Sequence, residues 1–287
     1  MIKKAVIPAA GFGTRFLPFT KAVPKEMIPI IDKPVIQYVI EEAAAAGITD
    51  ILIIVSRGKM AIQDHFNPEF SLEDRLQKTG KTEILEELRS IDSLAKLHFV
   101  YQQELNGLGD AVLQAKSFVG NDPFAILLGD TVLSSATKPV TSQLLDAYEK
   151  TKSPVVALEE VPWEVTSRYG VIDGASDDEK LYELSGLVEK PAPEKAPSNL
   201  VIASRYVFTA DIFDYLEKTP RGKGNEIQLT DAMRAMLKER NMYGLKFDGK
   251  RHDIGNKLDF IKSTIEFALN SDEYRQPVLE YIKSLDI

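Results

Sequence analysis

The sequence predicts an α/β protein with a doubly wound, mixed but mostly parallel sheet flanked by helices. Three observations carry this. Apolar runs recur at AVIP (5–8), DILIIV (50–55) and FAILLGD (124–130), and continuous aliphatic and β-branched runs suit strands covered on both faces. Helix-type segments alternate with these runs, giving β-α-β-α-β-α-β through the first half. The composition is that of a globular chain: 287 residues, 44% hydrophobic and 27% charged, enough to bury a sizeable core.

In order along the chain, PVIQYVIEEAAAA (34–46) reads as a helix. Its proline occupies a tolerated N1-like position, and Gly47 follows as a stop signal. Val35, Ile36, Val39, Ile40 and Ala43 share one face. Residues 67–93 are dense in Glu, Lys, Leu and Asp and read as two exposed helices inserted between strands. LHFVYQ (97–102) is a strand, and GLGDAVLQAKSF after it is a loop leading into a helix. A strand-rich part spans 154–210, with runs VVALEEV, YGVIDG, LYELSGLVEK and LVIASRYVF and a proline-rich loop at 191–199. From 211 onward the chain reads as mostly helical. The helical segment at 256–287 is rich in Ile, Leu, Phe and Tyr and suits a subunit interface. One domain over 1–287 is expected.

Composition excludes several chemistries. There is no cysteine, so disulfides, zinc-thiolate sites and thiol catalysis are absent. The three histidines, His65, His98 and His252, are far apart and form no ligand-spaced pair. A net charge of -8 opposes nucleic-acid or anionic-membrane binding, yet a few local cations still hold a small anion. Neither a signal segment nor a membrane span is evident, so a cytoplasmic protein is expected.

The most informative stretch is AVIPAAGFGTRFLPFTKAVPKEMIP (5–29). Gly11 and Gly13 after a buried strand let a phosphate-bearing ligand approach the backbone. The third position of a dinucleotide GxGxxG motif is Phe16, and no P-loop lysine triplet follows. SRGK at 56–59 offers no acidic residue after the second strand, which further opposes a nicotinamide oxidoreductase. Arg15, Lys21 and Lys25 lie among Pro18, Pro24 and Pro29. Prolines at that spacing forbid a regular helix. A stiff cationic loop over a glycine turn suits a triphosphate, since arginine grips two oxygens and lysine acts as a point charge. The plainer alternative is a solvated basic loop. LLGD ends a strand in Asp130, where open α/β sheets bind ligands; a turn cap is the competing role.

GFGTRFLPFTKAVPKEMIP resembles the signature of the sugar-phosphate nucleotidylyltransferases. PIIDKPVIQYVIEEAAAAGITDILI, QQELNGLGDAV, LLGD, RYGVI, GLVEKP, RYVF, GNEIQLTDAM and DIGNKLDFIKS follow in matching order. The resemblance implies a Rossmann-like fold of the nucleotide-diphospho-sugar transferase type. It implies UTP and glucose-1-phosphate as substrates, UDP-glucose and pyrophosphate as products, Mg2+ as cofactor and a homodimer or homotetramer. Arg15, Lys25 and Lys190 would be catalytic. Ala9, Ala10, Gly11, Gly13, Glu26, Gln102, Gly107 and Asp130 would bind the nucleotide, while Gly170, Glu189 and Lys190 bind the sugar phosphate. Asp130 and Asp253 would be metal ligands. A thymidylyltransferase using dTTP and a non-catalytic nucleotide-sugar-binding paralogue remain as alternatives. The residues at 67–93 and QQELNGLGDA favour the uridylyl branch. Asp110 stands where that family usually has histidine, and Ser204 where it usually has glycine.

Overall fold

The computed structural model describes residues 2–285, apart from the side chain of Lys223. The ends of the expected domain, Met1, Asp286 and Ile287, lie outside the described residues. The apolar runs become strands because burial on both faces removes nearly all of their surface from water. Val6, Ile7, Ile51, Ile53 and Ile54 are fully buried, each worth roughly 1.5–3 kcal/mol over an exposed side chain. Alternation along the strands divides them between two cores. Ala5, Ile7, Ile51 and Ile53 join one, whereas Val6, Leu52 and Ile54 join the other. The sheet is therefore covered on both faces.

Nine strands form this sheet. Their spatial order is Lys96–Tyr101, Asp50–Val55, Lys4–Pro8, Phe124–Leu127, Leu200–Phe208, Val155–Glu160, Tyr243–Lys246, Leu181–Glu189 and Gly170–Ala175. The first four are mutually parallel, as expected from the alternating helices. The expectation of a mostly parallel sheet fails beyond them. Leu200–Phe208 pairs antiparallel with both Phe124–Leu127 and Val155–Glu160, and Leu181–Glu189 is antiparallel to both its neighbours. Only Val155–Glu160 with Tyr243–Lys246 is parallel there. The reason is connectivity: Gly170–Ala175 returns to Leu181–Glu189 through a short turn, with no crossover helix to make the pair parallel.

Residues 67–93 do form two helices, Phe70–Lys78 and Thr82–Asp92. The first long helix runs Val35–Ala45, with Pro34 extended just before it rather than inside it. The segment beyond 211 is mostly helical, with helices Ile212–Lys218, Leu229–Leu237, Lys257–Asn270 and Arg275–Ser284. It also contains two short strands, Tyr243–Lys246 and Lys250–Asp253, which its sequence does not announce. Lys250–Asp253 pairs antiparallel with Thr131–Ser134, which puts Asp253 opposite Thr131, the residue after Asp130. This small ribbon delivers a C-terminal carboxylate to the end of a central strand.

A buried polar network braces that region. Arg205, 1% exposed, donates from Nη2 to Glu42 Oε2 at 2.7 Å and to the Thr131 carbonyl at 2.9 Å. Glu42 Oε1 accepts from the Thr141 amide at 2.9 Å and its hydroxyl at 2.6 Å. A carboxylate at the start of helix Val140–Thr151 also complements its dipole. Two helices, a central strand and the ribbon are thereby joined through one ion pair.

Candidate active site

The glycine-containing turn follows directly from the first strand. Gly13 has φ 65°, and a Cβ there would stand 3.0 Å from Lys25 Cβ. Glycine thus serves both a left-handed backbone and close packing against the lysine. The proline-rich loop is a series of short turns at Thr14–Phe16, Phe19–Lys21 and Lys25–Met27. Lys25 starts the last of these, and its Nζ reaches Asp130 Oδ2 at 2.6 Å. Lys21 is exposed and lines neither cavity described below, so it is the solvated member of the trio.

Two cavities meet at this pair. One, of about 370 Å3, is lined by Ala10, Gly11, Phe12, Lys25, Glu26, Gln102, Gly107, Asp130 and Glu226 among others. The second, of about 350 Å3, is lined by Gly13, Arg15, Lys25, Asp130, Arg168, Tyr169, Lys190, Ser204, Arg251 and Asp253 among others. Lys25 and Asp130 belong to both walls. The second cavity gathers Arg15, Lys25, Arg168, Lys190 and Arg251 against Asp130 and Asp253. Such a concentration of cations accommodates several phosphate groups despite the acidic chain.

Burial pulls the Lys25 ammonium down, but the charges of Asp130 and Glu26 outweigh it and hold it above its ordinary value. Burial alone would raise Asp130; the charge and hydrogen bond of Lys25 reverse this and keep it below the usual carboxylate range. Both shifts favour the ionised pair at neutral pH. Next to it, Glu26 (1% exposed) accepts from Lys59 Nζ at 2.7 Å. Burial raises Glu26 and lowers Lys59. Glu26 Oε1 is buried and has no hydrogen-bond partner among the described residues, so it remains an acceptor beside the first cavity.

The loop 102–110 closes the other side of that cavity. Gly107 has φ 103°, and a Cβ there would meet Glu226 Cβ at 2.7 Å and the Ile227 carbonyl at 2.9 Å. The Gly109 amide donates to Ile227 O at 2.8 Å, and the Ile227 amide donates to Asn106 O at 2.7 Å. GNEIQLTDAM therefore clamps NGLGD in place. Ala9 is buried, and its amide donates to Ile54 O at 2.8 Å, leaving no N–H for a ligand. Ala10 and Gly11 do line the cavity.

Glu189 and Lys190 would point to opposite faces of a regular strand. Lys190, at the end of Leu181–Glu189, has φ 45°. This left-handed turn re-aims its side chain, so Nζ lies 3.1 Å from Glu189 Oε1. Glu189 Oε2 accepts from the Thr230 hydroxyl at 2.7 Å. A Cβ on Gly170 would stand 3.3 Å from that same oxygen. Gly170 and Glu189 are a register pair beside Tyr169 and Lys190, which line the second cavity. Ser204 also carries a left-handed φ of 62°, the conformation for which glycine is the ordinary choice.

Asp253 is held by three donors. Tyr169 Oη gives 2.8 Å to Oδ2, Arg168 Nη2 gives 3.3 Å to the same atom, and the Gly255 amide gives 2.9 Å to Oδ1. Burial, reinforced by Asp253, pushes the Tyr169 hydroxyl up to about 12, so it remains a donor. Arg168 and Arg251 were not singled out from the sequence. Arg251 lies 4.2 Å over the Tyr169 ring and pairs with Glu159 at 2.6 Å. Arg168 is the first residue of RYGVI, and its place in that motif is the available signal.

Comparison with known proteins places the chain in a family. The family described as Nucleotidyl transferase matches residues 4–268. A UTP–glucose-1-phosphate uridylyltransferase from Staphylococcus epidermidis is 52% identical over 286 residues, covering 100% of this chain and 99% of the relative. A solved UDP-glucose pyrophosphorylase complexed with UDP-glucose superposes with TM-score 0.87 at 42% identity, covering 94% of this chain and 100% of that one. The UTP-bound enzyme of the same kind from Acinetobacter baumannii gives TM-score 0.93 at 36% identity over 100% of both chains.

Proposed function

This chain belongs to the nucleotidyl transferase family, and on that footing we propose that it transfers the uridylyl group of UTP to glucose-1-phosphate, releasing pyrophosphate and UDP-glucose. The observation that carries the reading is the shared wall: Lys25 and Asp130 border both cavities. With the nucleoside in the first cavity and phosphates in the second, the α-phosphate lies at the junction. A phosphate oxygen of glucose-1-phosphate attacks the α-phosphorus, the bond to the bridging β-oxygen breaks, and its electrons leave with pyrophosphate. Little covalent work falls to the protein; positioning and charge neutralisation carry the rate. Lys25 neutralises the α-phosphate oxygens. Arg15 grips the departing β- and γ-phosphates, and Lys190 holds the attacking phosphate. Glu189 and Gly170 are assigned to the glucose hydroxyls.

Magnesium belongs to the same reading. Asp130 and Asp253 would hold it, and it would neutralise triphosphate charge when bound. Among the described residues no three or more His, Cys, Asp or Glu side chains gather as a metal cage. Two carboxylates on one cavity suit magnesium, which takes one or two protein ligands and completes its shell with phosphate oxygens and water. No helix among the described residues is long and apolar enough to cross a membrane, which fits the cytoplasmic setting we assign.

The test is pyrophosphate release from UTP plus glucose-1-phosphate, repeated with dTTP and with magnesium removed by EDTA. Release is expected with UTP and magnesium, at least tenfold slower with dTTP, and at background in EDTA. Equal rates with dTTP would assign the chain to the thymidylyl branch, and no release from either nucleotide would favour a non-catalytic binder.

A further inference from the structure

We propose that Asp110 is a positioning residue that sets base selectivity by locking the Gln102 side-chain amide in one orientation. The inference rests on the reading that UTP occupies the cavity lined by Gln102. Gln102 is 5% exposed, and its backbone amide is tied to Val55 O at 2.8 Å. Its Nε2 donates to Asp110 Oδ2 at 2.6 Å and to the Gly107 carbonyl at 3.3 Å. Both partners accept only: an ionised carboxylate and a backbone carbonyl have no hydrogen to give. Turning the amide over would press Oε1 against a carboxylate oxygen at the distance Nε2 now occupies. The network therefore assigns the amide orientation, which is otherwise ambiguous. Asp110 is itself fixed, because it lies on the short helix Leu108–Leu113, whose Gly109 amide is anchored to Ile227 O.

With both N–H groups directed at Asp110 and Gly107, Oε1 is the Gln102 atom left to meet a base. An acceptor at that point selects a ring presenting N–H. The uracil N3–H satisfies it, whereas cytosine offers a lone pair at the same ring position. Thymine carries the same N–H, so this device separates UTP and dTTP from CTP rather than from each other. A residue that both donates and accepts at position 110 would pair with either amide orientation, leaving only the longer contact to the Gly107 carbonyl at 3.3 Å to favour one, and would weaken the distinction.

The test is Asp110→Asn, an isosteric change whose amide pairs with Gln102 in both orientations. The ratio of kcat/KM for UTP to that for CTP is expected to fall about tenfold, the scale of one well-placed hydrogen bond. The change should appear mainly in the two KM values. Asp110→Ser, which cannot hold the amide through a carboxylate, should lower the ratio likewise and serves if the asparagine variant does not fold. An unchanged ratio, or equal loss with both nucleotides, in a folded variant would overturn the inference. A wild-type protein inactive with every nucleotide would instead overturn the functional reading, so the two failures are distinguishable.

Discussion

Lys25→Ala is expected to lower kcat with UTP and glucose-1-phosphate by about 10²–10³-fold, the usual cost of removing one preorganised electrostatic group at a reaction centre. The side chain lies on both cavity walls and is ion-paired to Asp130 at 2.6 Å, so its removal strips charge from the α-phosphate position. It also frees Asp130 to repel the triphosphate. Because the two side chains are about one quarter exposed, water replaces the lost partner and the stability penalty stays near the small values of accessible ion pairs. Circular dichroism and thermal melting should therefore match the wild type while steady-state turnover collapses. A variant retaining turnover within threefold would remove Lys25 from the chemistry.

Glu42→Ala is expected to have the largest effect on stability, roughly 3–5 kcal/mol, because it strands a buried guanidinium. Arg205 is 1% exposed and meets Glu42 through Nε and Nη2. The same substitution unpairs the amide and hydroxyl of Thr141 at the start of helix Val140–Thr151. Urea denaturation should show the midpoint falling with little change in slope. Glu42→Ala combined with Arg205→Met should recover part of the loss, since the stranded charge is then gone. Loss of less than 1 kcal/mol in the single variant would contradict the importance given to this network.

What the sequence made legible follows from how local the signal is. The parallel half is written in contiguous aliphatic runs, and the glycine turn and prolines of 5–29 announce their own backbone. Asp130 was readable because it ends such a run. The ribbon of Thr131–Ser134 with Lys250–Asp253 was not. Its strands are short and of mixed polarity, and their pairing joins segments about 120 residues apart, so no window of sequence contains it. Arg251 was missed for the same reason: an isolated arginine reads as surface until the chain folds it over Tyr169. Arg168 stands in RYGVI beside Tyr169, but its carboxylate partners Asp253 and Asp259 lie far along the chain. Strand alternation separated Glu189 from Lys190, and only the left-handed turn at Lys190 brings their ends together. Gln102 was legible only as a nucleotide-binding candidate implied by the resemblance. The direction of its amide depends on Asp110 eight residues away and emerged only with the folded loop.

The central claim is that attack occurs at the α-phosphorus of UTP, at the junction walled by Lys25 and Asp130. The fate of phosphorus label tests it most directly. With glucose-1-phosphate and UTP labelled separately at the α- and γ-positions, the account predicts α-label in UDP-glucose and γ-label in pyrophosphate. Gamma-label appearing in a phosphorylated glucose, or as inorganic phosphate without UDP-glucose, would contradict it.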